Sequence, residues 1–150
     1  MRALIKLKKE IDMNVLQNTL ACICFTLAGS TAFAGSDLKS ATDGGGRILT
    51  GDEIAALVVG KVVTASAGEK TFNFFYAPDN QLSGELQGGG WSGTGAYAIT
   101  DTDQICVSMA QDKGRFRCLT VVHEGDRIRK FNSDGKATFE LLSFKVAQGL

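Results

Sequence analysis

Two β-prone runs, residues 104–110 and 115–124, flank the polar turn 111–114, and each run carries one cysteine, Cys106 and Cys118. A third run, residues 127–131, follows the turn Gly125-Asp126. Valine, isoleucine, phenylalanine and threonine suit a pleated, half-buried surface, and Gly/Asp-rich breaks mark chain reversals. The stretch therefore predicts a three-stranded antiparallel meander. Placing the reversal at Gln111-Asp112-Lys113 sets Ala110 opposite Gly114, Ser108 opposite Phe116 and Cys106 opposite Cys118. Opposed residues hold their Cβ atoms about 4.5–5.5 Å apart, and a disulfide needs about 3.5–4.5 Å. A Cys106–Cys118 bridge thus requires the closer, non-hydrogen-bonded kind of pair.

The rest of the chain continues the same pattern. Residues 62–65, 70–77, 81–87 and 95–100 read as strands, and residues 137–146 as the last one. Phe72, Phe74 and Tyr76 share one face of their strand by alternation, Leu82 and Leu86 point inward, and Tyr97 pairs in phase with Ile99. Pro78-Asp79-Asn80 is a turn, since proline presets φ and Asp/Asn side chains bond the nearby backbone. Asp134-Gly135 between two β runs is a strong hairpin signal. The break in alternation at Leu141-Leu142 predicts a bulge. Thr50-Gly51-Asp52-Glu53 has capping-box form and opens a short helix, residues 51–59, with Ile54, Leu57 and Val58 on one face. The sum is mostly β: about eight antiparallel strands in an up-and-down, lipocalin-like barrel with one short N-terminal helix over an end or edge.

The N-terminus reads as a leader. Arg2, Lys6, Lys8 and Lys9 precede the apolar run 20–27, and Ala32-Phe33-Ala34 offers an A-x-A cleavage site between Ala34 and Gly35. Cys22 and Cys24 leave with it, and Cys106 and Cys118 remain as an even pair suited to an oxidising compartment. The expected organisation is a signal peptide over 1–34, a flexible lead-in over 35–48 and a barrel domain over 49–150. The expected location is periplasmic or secreted, with no membrane span in the mature chain.

Charge and motifs exclude more than they identify. Sixteen basic residues balance sixteen acidic ones, which argues against nucleic acid as a partner. One histidine and the cysteine pair cannot make a four-ligand zinc site. Gly88-Gly89-Gly90-Trp91-Ser92-Gly93 spells G-x-G-x-x-G, but a dinucleotide loop needs a following helix, and a strand follows here. Asp101-Thr102-Asp103 lacks the remaining ligands of a calcium loop. No cofactor is expected. His123 with Ser108 or Thr120 is the one hydrolase constellation to weigh; no nucleophile elbow accompanies it, and His123 and Glu124 alternate to opposite faces. Trp91 reads as either a plug folded into the barrel end or an exposed contact. Arg115, Arg117, Arg127, Arg129 and Lys130 form a basic set, and the odd numbering of Arg117, Arg127 and Arg129 suggests a shared face. These arginines and Trp91 are the candidate partner contacts.

In order, Leu49-Thr50-Gly51-Asp52-Glu53, Phe74-Phe75-Tyr76-Ala77-Pro78-Asp79, residues 93–99, the two cysteines and Asp134-Gly135 resemble a family of small exported bacterial proteins, the domain of unknown function 995. The family carries tryptophan on the strand that holds Tyr97 here. The resemblance implies a lipocalin-like barrel and an exported location, and brings no activity with it. A looser likeness, in size, topology and cysteine pair, is to small periplasmic protease-inhibitor barrels. The expected function is a non-catalytic periplasmic binding or envelope-associated module for a protein or a small apolar or anionic ligand. The alternatives are an inhibitor of a secreted hydrolase that uses residues 35–46 or a barrel-end loop, and a hydrolase.

Overall fold

The computed structural model describes residues 37–147. The expected leader and cleavage site at Ala34–Gly35, with Cys22 and Cys24, lie outside the described residues. In chain order the elements are helix α1 (Asp37–Asp43), strand β1 (Arg47–Ile48), helix α2 (Gly51–Val58), strands β2 (Lys61–Ala67), β3 (Lys70–Tyr76), β4 (Gln81–Leu86), β5 (Ser92–Ile99) and β6 (Gln104–Met109), a 3-10 turn (Ala110–Asp112), and strands β7 (Arg117–Glu124), β8 (Arg127–Phe131) and β9 (Ala137–Val146).

Strands β2 to β9 each pair antiparallel with the next, and β9 returns to pair with β2, Lys61 opposite Val146. The eight strands close an up-and-down barrel of the lipocalin-like kind. The bulge falls where alternation slips: Thr64 faces Ser143 and Ala65 faces Leu141, so Leu142 is the extra residue. Cys106 faces Cys118 and the two are bonded, with Cα atoms 3.8 Å apart. The ladder ends at Val107–Arg117, so Ser108 and Phe116 are not paired. The 3-10 turn and the left-handed Lys113 carry the chain around instead.

Helix α2 forms for reasons visible in its first turn. Thr50 Oγ1 accepts from the Glu53 amide, and Glu53 Oε2 accepts from the Thr50 amide at 2.9 Å, satisfying two of the helix's orphan donors. The inward side chains Ile54 and Val58 are each 1% exposed and fill the barrel end among Leu49, Val63 and Ile105. Each such burial stabilises by about 1.5–3 kcal/mol. Asp103 Oδ1 accepts from the Gly51 amide at 2.7 Å and ties the helix to the β5–β6 turn. The end of the barrel bearing α2 is therefore floored.

The lead-in is where the sequence expectation fails. The described part of the expected lead-in, residues 37–48, is not a flexible, unpacked tether: residues 37–43 are α1 and residues 47–48 are β1. Ala41 of α1 packs on Val122 and Phe131, which face out from the barrel wall and are fully buried beneath it, with Leu38 beside them. Arg47 and Ile48 pair with His123 and Val122 on the flank of β7 beyond its last partner in β6, Thr120. The protein thus has two α-helices among the described residues, where one was expected. A seven-residue helix is unstable alone, and tertiary contact with the barrel wall decides it.

The cap gives a testable pH effect. Arg47 Nη1 donates to Glu53 Oε2 at 2.7 Å. This bond first, and the Thr50 amide next, hold the Glu53 carboxyl down to about 2. A carboxyl whose folded value lies below its unfolded one stabilises fully above the unfolded value and loses that contribution as pH falls through the folded one. The melting temperature of the wild type should therefore fall more steeply than that of Glu53→Gln between the ordinary carboxylate range and pH about 2. Asp112 and Glu140 are also held low, so parallel curves for the two proteins would assign the acid sensitivity to those residues and not to the cap. At neutral pH Thr50→Ala should cost about 1 kcal/mol.

Candidate binding cavity

The strands alternate, and the residues they turn inward above the α2 floor do not fill the barrel. A cavity of about 880 Å³ remains, open at the end opposite α2. Its walls include Phe72, Phe74, Phe139, Leu82, Val107 and Leu119. Phe72 stacks along Phe74 with centroids 5.8 Å apart, and Phe139 meets both edge-on at 5.9 and 5.7 Å. Such edge-to-face packing is the preferred aromatic geometry and holds the wall in one arrangement. A volume of this size with apolar walls and a few polar groups is the usual form of a small-molecule site. A shallower depression of about 680 Å³ lies over Asn73, Glu85 and the glycines 88–90. It is polar and less enclosed, and the interior cavity is the stronger candidate.

Trp91 folds into the open end. Its ring meets Phe72 edge-on at 5.6 Å and Phe74 at 6.4 Å, and it is half-buried against the core. Room for it comes from two glycines that face each other across β4 and β5, Gly84 and Gly93. A Cβ on Gly84 would lie 2.7 Å from the Phe74 ring and 3.2 Å from Trp91, and one on Gly93 3.3 Å from Trp91. Within the G-x-G-x-x-G stretch the glycines 88–90 thus make a turn and Gly93, already in β5, helps seat the ring.

The basic set is divided by the barrel wall. Arg127 and Arg129 lie on the outer face of β8, each in a two-pronged contact with a carboxylate: Arg127 with Glu140 at 3.0 and 2.6 Å, Arg129 with Glu124 at 2.8 and 2.7 Å. Arg129 also covers the Phe131 ring, 4.9 Å from its centroid. Arg117 instead lines the cavity mouth and donates to Asp112 Oδ2 at 2.7 Å. The Met109 amide first, and Arg117 next, hold the Asp112 carboxyl below its ordinary value. Arg115 is exposed on the same mouth loop. The expectation that Arg117 shares a face with Arg127 and Arg129 is therefore corrected. The two-residue turn at Gly125-Asp126 pairs Glu124 with Arg127 and Val121 with Lys130, so odd positions of β7 face even positions of β8.

That parity turns Lys130 inward. Its side chain is 3% exposed and lines the cavity. Lys130 Nζ donates to Tyr76 Oη at 2.7 Å and sits 5.0 Å from the centroid of the Tyr76 ring. Tyr76 is 2% exposed and meets Tyr97 edge-on at 5.2 Å, while Tyr97 Oη donates to the Ala77 carbonyl at 2.7 Å. Sequence reading placed Lys130 with the surface cations; the signal that finds it is its register opposite Val121. His123 stands on β7 three residues from Thr120, which with Ser108 belongs to the wall's other face by alternation. The hydrolase constellation is not brought together. Comparison with protein-family models, with curated proteins and with solved structures finds no match.

Proposed function

We propose that the protein is an exported, non-catalytic binding module of the cell envelope that holds a small, largely apolar molecule inside its barrel. The observation that carries this reading is the cavity of about 880 Å³, floored by α2 and open at the other end. The leader-like N-terminus and the Cys106–Cys118 bridge support export to an oxidising compartment. The resemblance to the domain of unknown function 995 implies the same location, and no family model matches the chain. The inhibitor alternative loses the arm assigned to residues 35–46, since residues 37–43 are engaged on the barrel wall. It retains the mouth loop, where Phe116 is 48% exposed.

Native mass spectrometry of the protein recovered from the cell envelope tests the carrier reading. A retained small molecule, lost on denaturation and competing with an added apolar probe for the quenching of Trp91, is the expected result. Trp91 is the only tryptophan and lies on the cavity wall, so its emission reports occupancy directly. Failure of every apolar probe to alter Trp91 emission would end the reading.

A further inference from the structure

A neutral carrier of hydrocarbons has no use for a lysine in its wall. Among the residues lining the cavity there are three cations, Lys70, Arg117 and Lys130, and neither aspartate nor glutamate. The chain as a whole is balanced, sixteen against sixteen, so this lining is a local departure from a neutral average. Arg117 is answered at the rim by Asp112. Lys130 is the innermost of the three by burial, and among the described residues it forms no pair with a carboxylate. Its ammonium carries three donors, and the acceptor it has is a neutral phenol, Tyr76 Oη. Burial of a charge is expensive unless it is paired and hydrogen-bonded. A cation held in this way is complementary to a negative group delivered by a ligand. The other walls of the cavity, among them Phe72, Phe74, Phe139 and Leu119, suit an apolar chain.

We propose that the barrel selects amphiphiles with one negatively charged head group on an apolar chain, and seats that head on Lys130. This rests on the reading of the barrel interior as a binding site. The head is a carboxylate or a phosphate monoester, both of which accept charge-assisted hydrogen bonds from an ammonium. Tyr76 Oη positions the ammonium and is itself positioned by packing on Tyr97. Lys70 and Arg117 at the mouth draw the anion inward and repel cationic amphiphiles.

The test titrates the full chain with dodecanoate, dodecyl phosphate, dodecan-1-ol and dodecyltrimethylammonium, reading Trp91 emission and heat of binding. The wild type should bind dodecanoate or dodecyl phosphate about tenfold or more tighter than dodecan-1-ol, and the cationic probe more weakly than the alcohol. Which anionic probe binds tighter assigns the head group. Lys130→Met should remove the preference and retain the alcohol. Equal affinities for anionic and neutral probes in the wild type overturn the proposal while leaving the carrier reading intact. A preference that survives Lys130→Met overturns the assignment to this residue. No binding by any probe overturns both readings. The wild-type comparison needs no variant, and Lys130→Gln, which keeps a polar contact to Tyr76, serves if the methionine variant does not fold.

Discussion

Gly95→Ala lowers the stability of the barrel by more than about 3 kcal/mol, the largest effect expected of a methyl group added to any of the described glycines. Gly95 lies opposite Met109 on the β5–β6 ladder. A Cβ there would stand 2.1 Å from the Ser108 carbonyl oxygen and 2.7 Å from the Met109 Cα. Both atoms belong to the backbone, so no rotamer change relieves the contact, and β5 must separate from β6. That ladder also carries Cys106 opposite Ala98 and Ile105 opposite Ile99, and separation opens the wall. Urea unfolding of the wild type and the variant gives the value directly. A loss below about 1 kcal/mol would mean that the two strands give way locally without consequence for closure.

Cys106→Ala is expected to cost about 3 kcal/mol, or roughly 10–20 °C in melting temperature, through the entropy returned to the unfolded chain. The bridge closes a loop with a sequence separation of 12. It crosses the last rungs of the β6–β7 ladder, directly below the mouth loop that carries Asp112 and Phe116. Its loss should therefore loosen the cavity mouth before the α2 floor, visible as hydrogen exchange that rises first in residues 110–116. Alkylation of denatured protein without reductant, followed by intact mass, checks the premise. Two adducts on Cys106 and Cys118 refute the bridge, and none until reduction supports it.

The strands were legible because each was announced twice, by β-prone residues within and by turn chemistry at the ends. Asn80 and Gly135 both take positive φ, at 68° and 73°, where the Pro78-Asp79-Asn80 and Asp134-Gly135 signals place reversals. Phe72, Phe74 and Tyr76 face inward as alternation requires. The capping box at Thr50 and the bulge at Leu142 follow from equally local rules. What could not be read locally was whatever depends on a distant partner. Helix α1 has only Leu38 and Ala41 to commit, and its order comes from Val122 and Phe131 of the barrel wall. Strand β1 has two residues and exists because β7 outruns β6. Lys130 was misjudged for a third reason. Its residue type suggests the surface, and only the register across Gly125-Asp126 overrules that. The candidate site therefore stayed hidden although most of its aromatic wall had been placed on the correct face.

The closure of β9 onto β2 also governs the order of events in time. Lys61 finds its partner in Val146, at the far end of the barrel sequence. Hairpins such as β7–β8 can form from neighbouring residues, but the seam between β2 and β9 is the contact of highest sequence separation among the barrel ladders, and such contacts slow folding because loop entropy is lost before they reward it. During synthesis β2 leaves the ribosome long before β9, so the chain waits as an unsealed sheet with its first and last edges unpaired. Sealing of the barrel therefore follows only when its final strand is free.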